Sequence, residues 1–562
     1  MKHFCSIWPI LLVTVLASLL VTGGTARAQA PTWQMAVAVN GAASMVTATV
    51  TDAGGNAYVT GHFTGTVNFG AATLTSAGDR DVFVAKWSRT NAAFVWAQRA
   101  GGTGSDYATA VAVSGSGVYV AGQFAGTANF GGRSITSFGL DDAFTAKLTD
   151  GGTGAGWEWA VPLGGSDGDQ AYALAVSGAS VYVAGVFNSA TFRVGPLTLT
   201  NGSMNGSTAD GFVAKLTDAG TAAWAQRVGG AGSDFVTALA ATGSTVYVTG
   251  QFSSTVAFGN IVLTGGGLSA FVAKLADAGP SSQFTWAIQA GGIVIANAVA
   301  VAGPNVYVAG RFIFNAAFGA TAFTSMGSQG GYDAFVTKIT DAGATGSFTW
   351  AVAAGGSRSD YAAGVAASGP NVYVVGGFSG TSSFGRFSLT GVGTSDNMFV
   401  TKLTDAGSTG SFSWAVPMGG QRWQLAAAVA IDAGRGVYVG GEATLPIAFG
   451  STTLTGVSGA SVGFLAALAD PTLTATAATL RPESIAIFPN PAHATATVQL
   501  RPIPGAATAT LTLLDVLGRT LHTQTAATNA RTDLDLTGLA PGLYAVRVQA
   551  GVSTATRRLV VE

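Results

Sequence analysis

Histidine and cysteine, which carry much of the metal and nucleophile chemistry of proteins, are scarce in this chain of 562 residues. A zinc site usually needs several His or Cys ligands, and a Ser-His-Asp triad needs a histidine beside its nucleophile. The only cysteine is Cys5, and the histidines are His3, His62, His493 and His522. Since only His62 falls in the long central segment, we expect neither kind of site and no catalytic residues.

Recurrent Asp and Lys residues could act as acid–base pairs. Where both occur they are five residues apart, as in Asp81 and Lys86. An odd spacing on a strand directs side chains to opposite faces, so we expect solvated strand ends instead. The recurrent Gly-Gly pairs, such as Gly101-Gly102, are followed by neither a helix nor Lys-Ser/Thr, which makes them turn glycines rather than a phosphate loop.

One short acidic motif, Asp167-Gly168-Asp169, could contribute to a weak Ca²⁺ site. A polar turn between two strands is the alternative interpretation. The sequence indicates no other cofactor and no other metal.

Better candidates for function are equivalent positions that differ from copy to copy of a repeat. A residue found in every copy is needed for the fold of that copy. We therefore look for ligand specificity at positions where the residue differs between copies. One such position lies four residues after a recurrent Tyr: His62, Gln123, Val186, Gln251, Arg311, Gly377 and Glu442. We expect the polar members, His62, Gln123, Gln251, Arg311 and Glu442, to line a ligand-binding surface; variable solvated loop positions are the alternative.

Two further departures from the repeat are candidate contacts. Arg422 and Trp423 replace the Ser-Asp of other copies, and Ile293-Val294-Ile295 is also atypical. They indicate either an exposed aromatic or apolar contact, or a repacked core.

The repeat itself is about 63 residues long and occurs seven times. Each copy contains four short apolar runs rich in Val, Tyr and Phe and bounded by Gly, which is typical of strands. Four strands repeated seven times predict an all-β fold, a seven-bladed β-propeller over residues 31–470. A β-solenoid usually has a far shorter period. The copies open at Trp33, Trp96, Trp159, Trp224, Trp286, Trp350 and Trp414.

The phase of the repeat predicts how the array closes. It begins on a Trp-type run, residues 33–39, and ends on an FVAK-type run, residues 464–469. We therefore expect the N-terminal strand to complete the last blade and remove an open sheet edge. The segment between the VYV and FVAK runs predicts an extra hairpin with a Phe-Gly turn.

A resemblance follows from these motifs. The pattern A-V-A-x-S-G-x-x-V-Y-V-x-G-x-F, then F-G, L-T, D-A-F-V-A-K-L and W-A, resembles the SBBP-type β-propeller repeat of bacterial surface and secreted proteins over residues 33–470. The resemblance implies the fold and no particular activity.

Residues 1–30 are predicted to be a secretory signal, with an apolar run over residues 7–21 and a small-x-small site at Ala28-Gln29-Ala30. Two cleavage points are open, after Ala28 or after Ala30. The alternative to a cleaved signal is a retained membrane anchor. The mature chain would then have no cysteine and no transmembrane span. With 9% charged residues and a net charge of −1, we expect no nucleic acid partner.

Residues 471–484 are a predicted linker, and residues 485–562 a small Ig-like β-sandwich of about seven strands. Its motifs are Phe488-Pro489-Asn490-Pro491, Asp515 with Gly518 and Arg519, and Gly542 with Tyr544. They resemble the type A C-terminal sorting domain of the type IX secretion system. That resemblance implies a Gram-negative host, the type IX secretion machinery as partner, and release or attachment to the outer face of the outer membrane.

The sequence thus predicts a secreted or cell-surface, non-enzymatic binding or adhesion protein for an unknown extracellular glycan or protein. Two alternatives stay open: an extracellular polysaccharide-active hydrolase or lyase using carboxylates of the propeller channel, and a structural surface-layer component.

Overall fold

The computed structural model describes residues 31–203, 208–327, 330–393, 395–420, 422–432, 436–457, 459–471, 485–500, 508–516, 519–550 and 553–562. Their regular secondary structure is entirely β-strand, which confirms the all-β prediction. No helix able to cross a membrane occurs in these ranges. The predicted signal segment 1–30, linker residues 472–484 and Gly518 lie outside the described residues.

The repeat segment contains β1 (Thr32–Ala38), β2 (Asn40–Gly41), β3 (Ser44–Thr51), β4 (Ala57–Phe63), β5 (Thr66–Phe69), β6 (Ala72–Thr75), β7 (Asp81–Ser88), β8 (Ala93–Gly102), β9 (Tyr107–Ser114), β10 (Gly117–Phe130), β11 (Arg133–Asp150), β12 (Ala155–Gly164), β13 (Asp169–Ser177), β14 (Ser180–Phe187), β15 (Thr191–Val194), β16 (Leu197–Thr200), β17 (Asp210–Thr217), β18 (Ala222–Gly230), β19 (Asp234–Thr242), β20 (Thr245–Phe258), β21 (Ile261–Asp277), β22 (Ser282–Gln289), β23 (Gly291–Ala302), β24 (Asn305–Phe318), β25 (Thr321–Thr324), β26 (Asp333–Asp341), β27 (Gly346–Gly356), β28 (Tyr361–Ser368), β29 (Asn371–Phe378), β30 (Thr381–Phe384), β31 (Phe387–Thr390), β32 (Asn397–Asp405), β33 (Gly410–Met418), β34 (Gln424–Ile431), β35 (Gly436–Thr444), β36 (Ile447–Phe449), β37 (Thr452–Leu454) and β38 (Ser461–Ala469). The C-terminal segment contains β39 (Ile485–Phe488), β40 (Thr495–Leu500), β41 (Thr508–Leu514), β42 (Thr520–Ala527), β43 (Arg531–Asp535), β44 (Gly542–Ala550) and β45 (Ser553–Val561).

Each repeat builds one four-stranded antiparallel sheet, here called a unit. In the second copy the order is β9, β10, β11 and β12, each paired with the next. We call these the first to fourth strands of the unit. The first strands of the seven units, in chain order, are β3, β9, β13, β19, β23, β28 and β34.

The first strands contact one another in cyclic order, and the last of them, β34, contacts β3. The hydrophobic core lies between neighbouring units, at interfaces that we call seams. One cluster, for example, joins Tyr58, Val84 and Trp96 of the first unit to Val111 and Phe124 of the second. Because each sheet is covered on both faces, its strands are almost continuously apolar rather than alternating.

The exchange of the N-terminal strand is confirmed. β1 pairs antiparallel with β38 and forms the fourth strand of the seventh unit, with Trp33 opposite Leu468 and Val37 opposite Leu465. The edge of β38 is thereby covered, which removes a site for pairing with other chains.

The recurrent Gly of the VYVxGxF motif has a packing reason. A β-carbon on Gly61 would lie 1.8 Å from the carbonyl oxygen of Met45 and 3.0 Å from the ring of Phe83. No side chain fits there, so the glycine lets the first strand and the Phe of the third strand approach the second strand closely.

The predicted extra hairpins are also present. In the second unit the hairpin turns at Phe130-Gly131, and Gly131 has a positive φ of 59°. The first strand of this hairpin pairs with the Gly-Gly end of the fourth strand of the preceding unit, with Ala128 opposite Gly102. The hairpins therefore link neighbouring units. They also explain why the repeat is longer than a sheet of four strands with short turns would need.

The C-terminal segment has seven strands in its described residues. They form one sheet in the order β39-β40-β43 and another in the order β42-β41-β44-β45. Side chains of both sheets share a single hydrophobic core that includes Ile485, Val498, Leu511, Leu534 and Val546.

Candidate functional site

The two ends of the cycle of units differ in their connections. At one end, here called the hairpin face, second strands run into the hairpins and fourth strands lead to the next unit. At the other end, the turn face, short turns join the strands. Among the described residues of the repeat segment, seven of the eight strongly exposed large apolar side chains lie in hairpin-face connections: Phe138, Leu140, Phe314, Met326, Val392, Trp423 and Val457. The eighth, Val262, lies in a hairpin beside its turn.

The seven variable positions occupy the hairpin-face end of the second strands, as the repeat requires. Each lies opposite the beginning of the first strand of its own unit, as His62 does opposite Met45 and Arg311 opposite Ile295. Val186 and Gly377 are buried and have structural roles, while Gln123 is partly buried. The polar members therefore lie at equivalent places around the hairpin-face end of the cycle of units, here called the mouth.

His62 and Glu442 approach a common cation, Arg80. The His62 ring packs on Tyr107 of the next unit with ring centroids 4.9 Å apart, and the Tyr107 hydroxyl accepts a hydrogen bond of 2.5 Å from Arg80. Burial, with the charge of Arg80, lowers the pKa of His62 to about 4, so this imidazole is neutral at neutral pH. Burial raises the pKa of Glu442. The hydrogen bond from the Ser461 hydroxyl and the charge of Arg80 partly offset this rise.

Arg311 forms a second polar cluster on the same face. Its guanidinium lies 4.9 Å from the centre of the Tyr332 ring, a cation–π distance. Tyr361 of the next unit lies within its electrostatic reach: burial and Asp396 raise the pKa of Tyr361 to about 12, and Arg311 opposes that rise.

Three members of the variable set keep buried polar atoms without a hydrogen-bond partner. These atoms are His62 Nδ1, Gln251 Oε1 and Arg311 Nε. Buried polar groups in proteins normally have a hydrogen-bond partner, so three unpartnered atoms at one end of the cycle need an explanation. A bound ligand that supplies the partners is one explanation.

The atypical residues divide between surface and core. Arg422 and Trp423 are exposed on the hairpin face, where the Trp423 side chain is 47% exposed. Val294, by contrast, is fully buried, and Ile295 is 9% exposed. The first departure is thus an exposed aromatic site, and the second is a repacked core.

Arg80, Tyr107 and Tyr361 belong to the polar clusters but were not predicted from the sequence. A usable signal existed for the two tyrosines. They occupy the second position of a first-strand motif that also varies between copies: Met45, Tyr107, Gln170, Phe235, Ile295, Tyr361 and Leu425.

The prediction of solvated Asp and Lys strand ends is wrong. Asp81 is 0% exposed and Lys86 is 8% exposed. Each Lys crosses a seam to an Asp that ends the third strand of the next unit, as Lys338 Nζ does to Asp405 Oδ2 at 2.7 Å. The six ion pairs join Lys86 to Asp150, Lys147 to Asp218, Lys215 to Asp277, Lys274 to Asp341, Lys338 to Asp405 and Lys402 to Asp470.

The seventh seam, where the chain ends meet, lacks this arrangement. Ala467 replaces the Lys, and Arg89 replaces the Asp. Arg89 instead binds Asp432 of the seventh unit at 2.8 Å. In this seam the first unit therefore supplies the cation and the seventh unit supplies the carboxylate.

The acidic motif lies in the turn between the second and third units. Asp169 is fully buried and accepts hydrogen bonds from Gly165 N, Asn188 N, Ser189 N and Ser189 Oγ. Asp167 bonds the Ser166 hydroxyl. Within the described ranges, no group of three or more His, Cys, Asp or Glu residues could hold a metal ion.

The motif residues of the C-terminal segment fix its turns and its first and last strands. Asn490 Nδ2 donates to Arg558 O and its Oδ1 accepts from Val560 N, both at 2.9 Å. Asp515 accepts from Arg519 N and Nε, and the Tyr544 hydroxyl donates to Ala540 O at 2.8 Å. Phe488 is 38% exposed, Pro489 and Pro491 flank Asn490, and Gly542 begins β44.

Comparison with known proteins identifies this segment. A family described as secretion system C-terminal sorting domain matches residues 486–562, which confirms the predicted sorting domain and implies a secreted or surface-attached protein. No curated protein sequence matches the chain.

Two solved structures have a remote likeness to the chain. PorZ of Porphyromonas gingivalis, described as an essential bacterial surface component of the type-IX secretion system, has 12% identity and a TM-score of 0.17, with 94% of this chain and 100% of that chain covered. The extracellular region of plexin A4 has 8% identity and a TM-score of 0.37, with 94% and 62% covered.

Proposed function

We propose that the protein is a secreted or cell-surface, non-enzymatic binding protein that captures an extracellular glycan or protein on the hairpin face. The observation that carries this proposal is the coincidence of two features on one face. The exposed apolar side chains, including Trp423 and Phe314, lie on the same face as the unpartnered polar atoms of His62, Gln251 and Arg311. Exposed apolar groups beside specific polar groups are typical of binding sites.

We also propose that the seven units are the blades of an SBBP-type β-propeller and that the C-terminal segment is an Ig-like sandwich. The cyclic contacts of the first strands and the pairing of β1 with β38 support the propeller. Two sheets around one core support the sandwich. A disk of this kind presents one broad face on which equivalent positions of all blades converge.

The distribution of carboxylates favours binding over hydrolysis. The recurrent acids are enclosed in the seams, where Asp81, Asp142 and Asp210 are fully buried. Glu442 is the one acid among the seven variable positions, and glycoside hydrolysis ordinarily needs two carboxyl groups facing a substrate.

Replacing His62, Arg311 and Glu442 together by alanine should abolish ligand binding while the protein stays folded. These side chains supply the polar contacts at the mouth, and none belongs to the ion pairs of the seams. The secreted chain would be screened on a glycan array and in pull-downs from envelope extracts, and the triple variant tested against each hit. Binding to such a hit that survives the triple substitution would contradict the proposed site.

A matched control lies on the turn face. Thr90, Thr153 and Ser408 are exposed there, so their replacement by alanine should change neither binding nor the unfolding temperature. Trp423→Ala should weaken binding with little effect on stability, because the side chain is half exposed.

Removing residues 486–562 should stop the protein reaching the medium or the cell surface, because the sorting domain carries the signal for the type IX secretion machinery. Immunoblots of medium, surface and periplasmic fractions would measure the loss. His522→Ala, an exposed substitution outside the sorting motifs, is the control and should be exported normally. Normal export of the truncated chain would refute the assigned route.

A further inference from the structure

Four seams bury two carboxyl groups beside each other on the hairpin-face side. One Asp stands two residues before the recurrent Phe of the third strand of a unit, and the other begins the first strand of the next unit or immediately precedes it. All eight side chains are at most 1% exposed. The pairs are Asp81 with Asp106, Asp142 with Asp169, Asp210 with Asp234, and Asp333 with Asp360.

A glycine of the Gly-Gly motif lies against the first carboxyl group of each pair, as Gly101 does at Asp81 and Gly164 at Asp142. A β-carbon on Gly101 would lie 2.6 Å from Asp81 Oδ1 and 2.8 Å from Asp106 Oδ2. The following residue, Gly102, donates its N–H to Asp106 Oδ2 at 2.7 Å. The two acids are therefore held on either side of the same backbone position.

The two positions change together from seam to seam. Where the pair is absent, both aspartates are replaced, and no seam keeps a single one. The replacements are Ser269 with Val294, Asn397 with Gln424, and Val462 with Ser44. Joint replacement indicates that each buried carboxyl group depends on its partner.

Two of the four pairs have a cation that balances their charge. Arg99 binds Asp81 and Arg227 binds Asp210, each at 2.5 Å. Pro162 and Ala353 occupy the equivalent positions in the other two seams, so Asp142–Asp169 and Asp333–Asp360 have no such arginine.

The first aspartate of every pair keeps one carboxyl oxygen without a hydrogen-bond partner, and in the arginine-free pairs no cation offsets its charge. Asp142 Oδ2 accepts from Phe138 N and Asp333 Oδ2 accepts from Met326 N, while the Oδ1 atoms of both have no partner. Asp169 and Asp360 instead accept several backbone and serine donors, such as Gly165 N and Ser382 Oγ. An ionised carboxylate needs donors at its oxygens, so the oxygen that receives none is where a proton would bind.

Other charged groups approach these pairs from the surrounding loops. Asp141 adjoins Asp142, and the guanidinium of Arg193 lies over the Phe138 ring at 5.5 Å. Near the second pair, Asp396 bonds Ser379, and the Arg358 stem lies close to Gly380. Neither arginine binds a carboxylate of the pairs, so the mutual repulsion of the two acids is not offset.

We propose that the pairs Asp142–Asp169 and Asp333–Asp360 each hold one proton at neutral pH and that alkali loosens these two seams by removing it. Burial first, and then the neighbouring charge, raises the pKa of Asp142 to about 7, and burial with repulsion from Asp333 does the same for Asp360. Folded pKa values above the unfolded value stabilise the fold in acid, and that stabilisation is lost as pH rises through about 7.

The test compares the secreted wild type with D142N/D333N between pH 5 and pH 9. The wild type should lose Tm across this range, and the variant should lose less, by about 3 °C or more. Asn397 shows that an amide fits this position in the same chain. D167N is the control and should not reduce the pH dependence, because Asp167 is exposed and lies two residues from Asp169.

Infrared spectroscopy gives a second readout that a purely structural role would not change. The wild type at neutral pH should show a carbonyl band of protonated carboxyl groups that D142N/D333N weakens, and this band can be sought in the wild type even if the variant fails to fold. Absence of the band in the wild type, or identical pH profiles of wild type and variant, would overturn the proposed protonation. A rise in Tm on adding Ca²⁺ to the wild type alone would overturn it in favour of a cation.

Discussion

Asp405→Asn is expected to destabilise the protein by about 3–5 kcal/mol, whereas Asp218→Asn should cost no more than about 1 kcal/mol. The two aspartates occupy equivalent places in different seams and bind equivalent lysines. They differ in burial, because Asp405 is 4% exposed and Asp218 is 46% exposed.

The large effect at Asp405 comes from the groups that would lose their partner. Its carboxylate accepts from Lys338 Nζ at 2.7 Å, the Tyr307 hydroxyl at 2.7 Å and Trp350 Nε1 at 3.0 Å. Burial would raise the pKa of Asp405, but these hydrogen bonds outweigh it and lower the pKa. An amide leaves the Lys338 ammonium, 6% exposed, without a counter-charge inside the seam.

Thermal and urea unfolding of both variants would measure the difference. Replacing Lys338 by methionine and Asp405 by leucine together should recover much of the loss, since it removes both charges and leaves neither buried alone. Equal effects of the two Asp→Asn substitutions would show that burial of the ion pair is not what stabilises these seams.

The lysine seams and the carboxyl pairs respond to pH in opposite directions. Lowered pKa values, as at Asp405 and Asp277, give stability that is lost as pH falls. Raised pKa values, as at Asp142, give stability that is lost as pH rises. The stability of the wild type should therefore peak between the two ranges.

Deleting residues 32–38 is the second change with a large expected effect. It removes β1, leaves β38 with an unpaired edge and takes away the Trp33 ring that packs on Phe449 at 5.2 Å. We expect loss of cooperative unfolding and self-association through the open edge. Circular dichroism during heating and size-exclusion chromatography would detect both.

A disulfide across the same strand pair provides the complementary test. Ala36 lies opposite Ala466, and no cysteine follows Cys5, so A36C/A466C would introduce a single pair of cysteines into the described residues. The oxidised form should be more stable than the reduced form by about 2–5 kcal/mol. Failure of the pair to oxidise, with no effect of deleting β1, would contradict closure by this strand.

The sequence alone determined the strands, their number per repeat and the closing strand. Runs such as GVYVAGQF carry their conformation locally, in β-branched and aromatic residues bounded by glycine. Closure followed from counting, because an array that begins on a fourth strand and ends on a third must exchange one. The sorting motifs were found in the same local way.

Only the tertiary structure decided which charges meet and whether they are buried. Lys86 binds Asp150 in the next unit rather than Asp81 in its own strand. Arg80 binds the Tyr107 hydroxyl of the next unit, and its charge acts on both His62 and Glu442. The repeat makes many such partners equivalent in sequence. Packing of the units selects among them, because a charge enclosed between two sheets is stable only beside a partner that the neighbouring unit supplies.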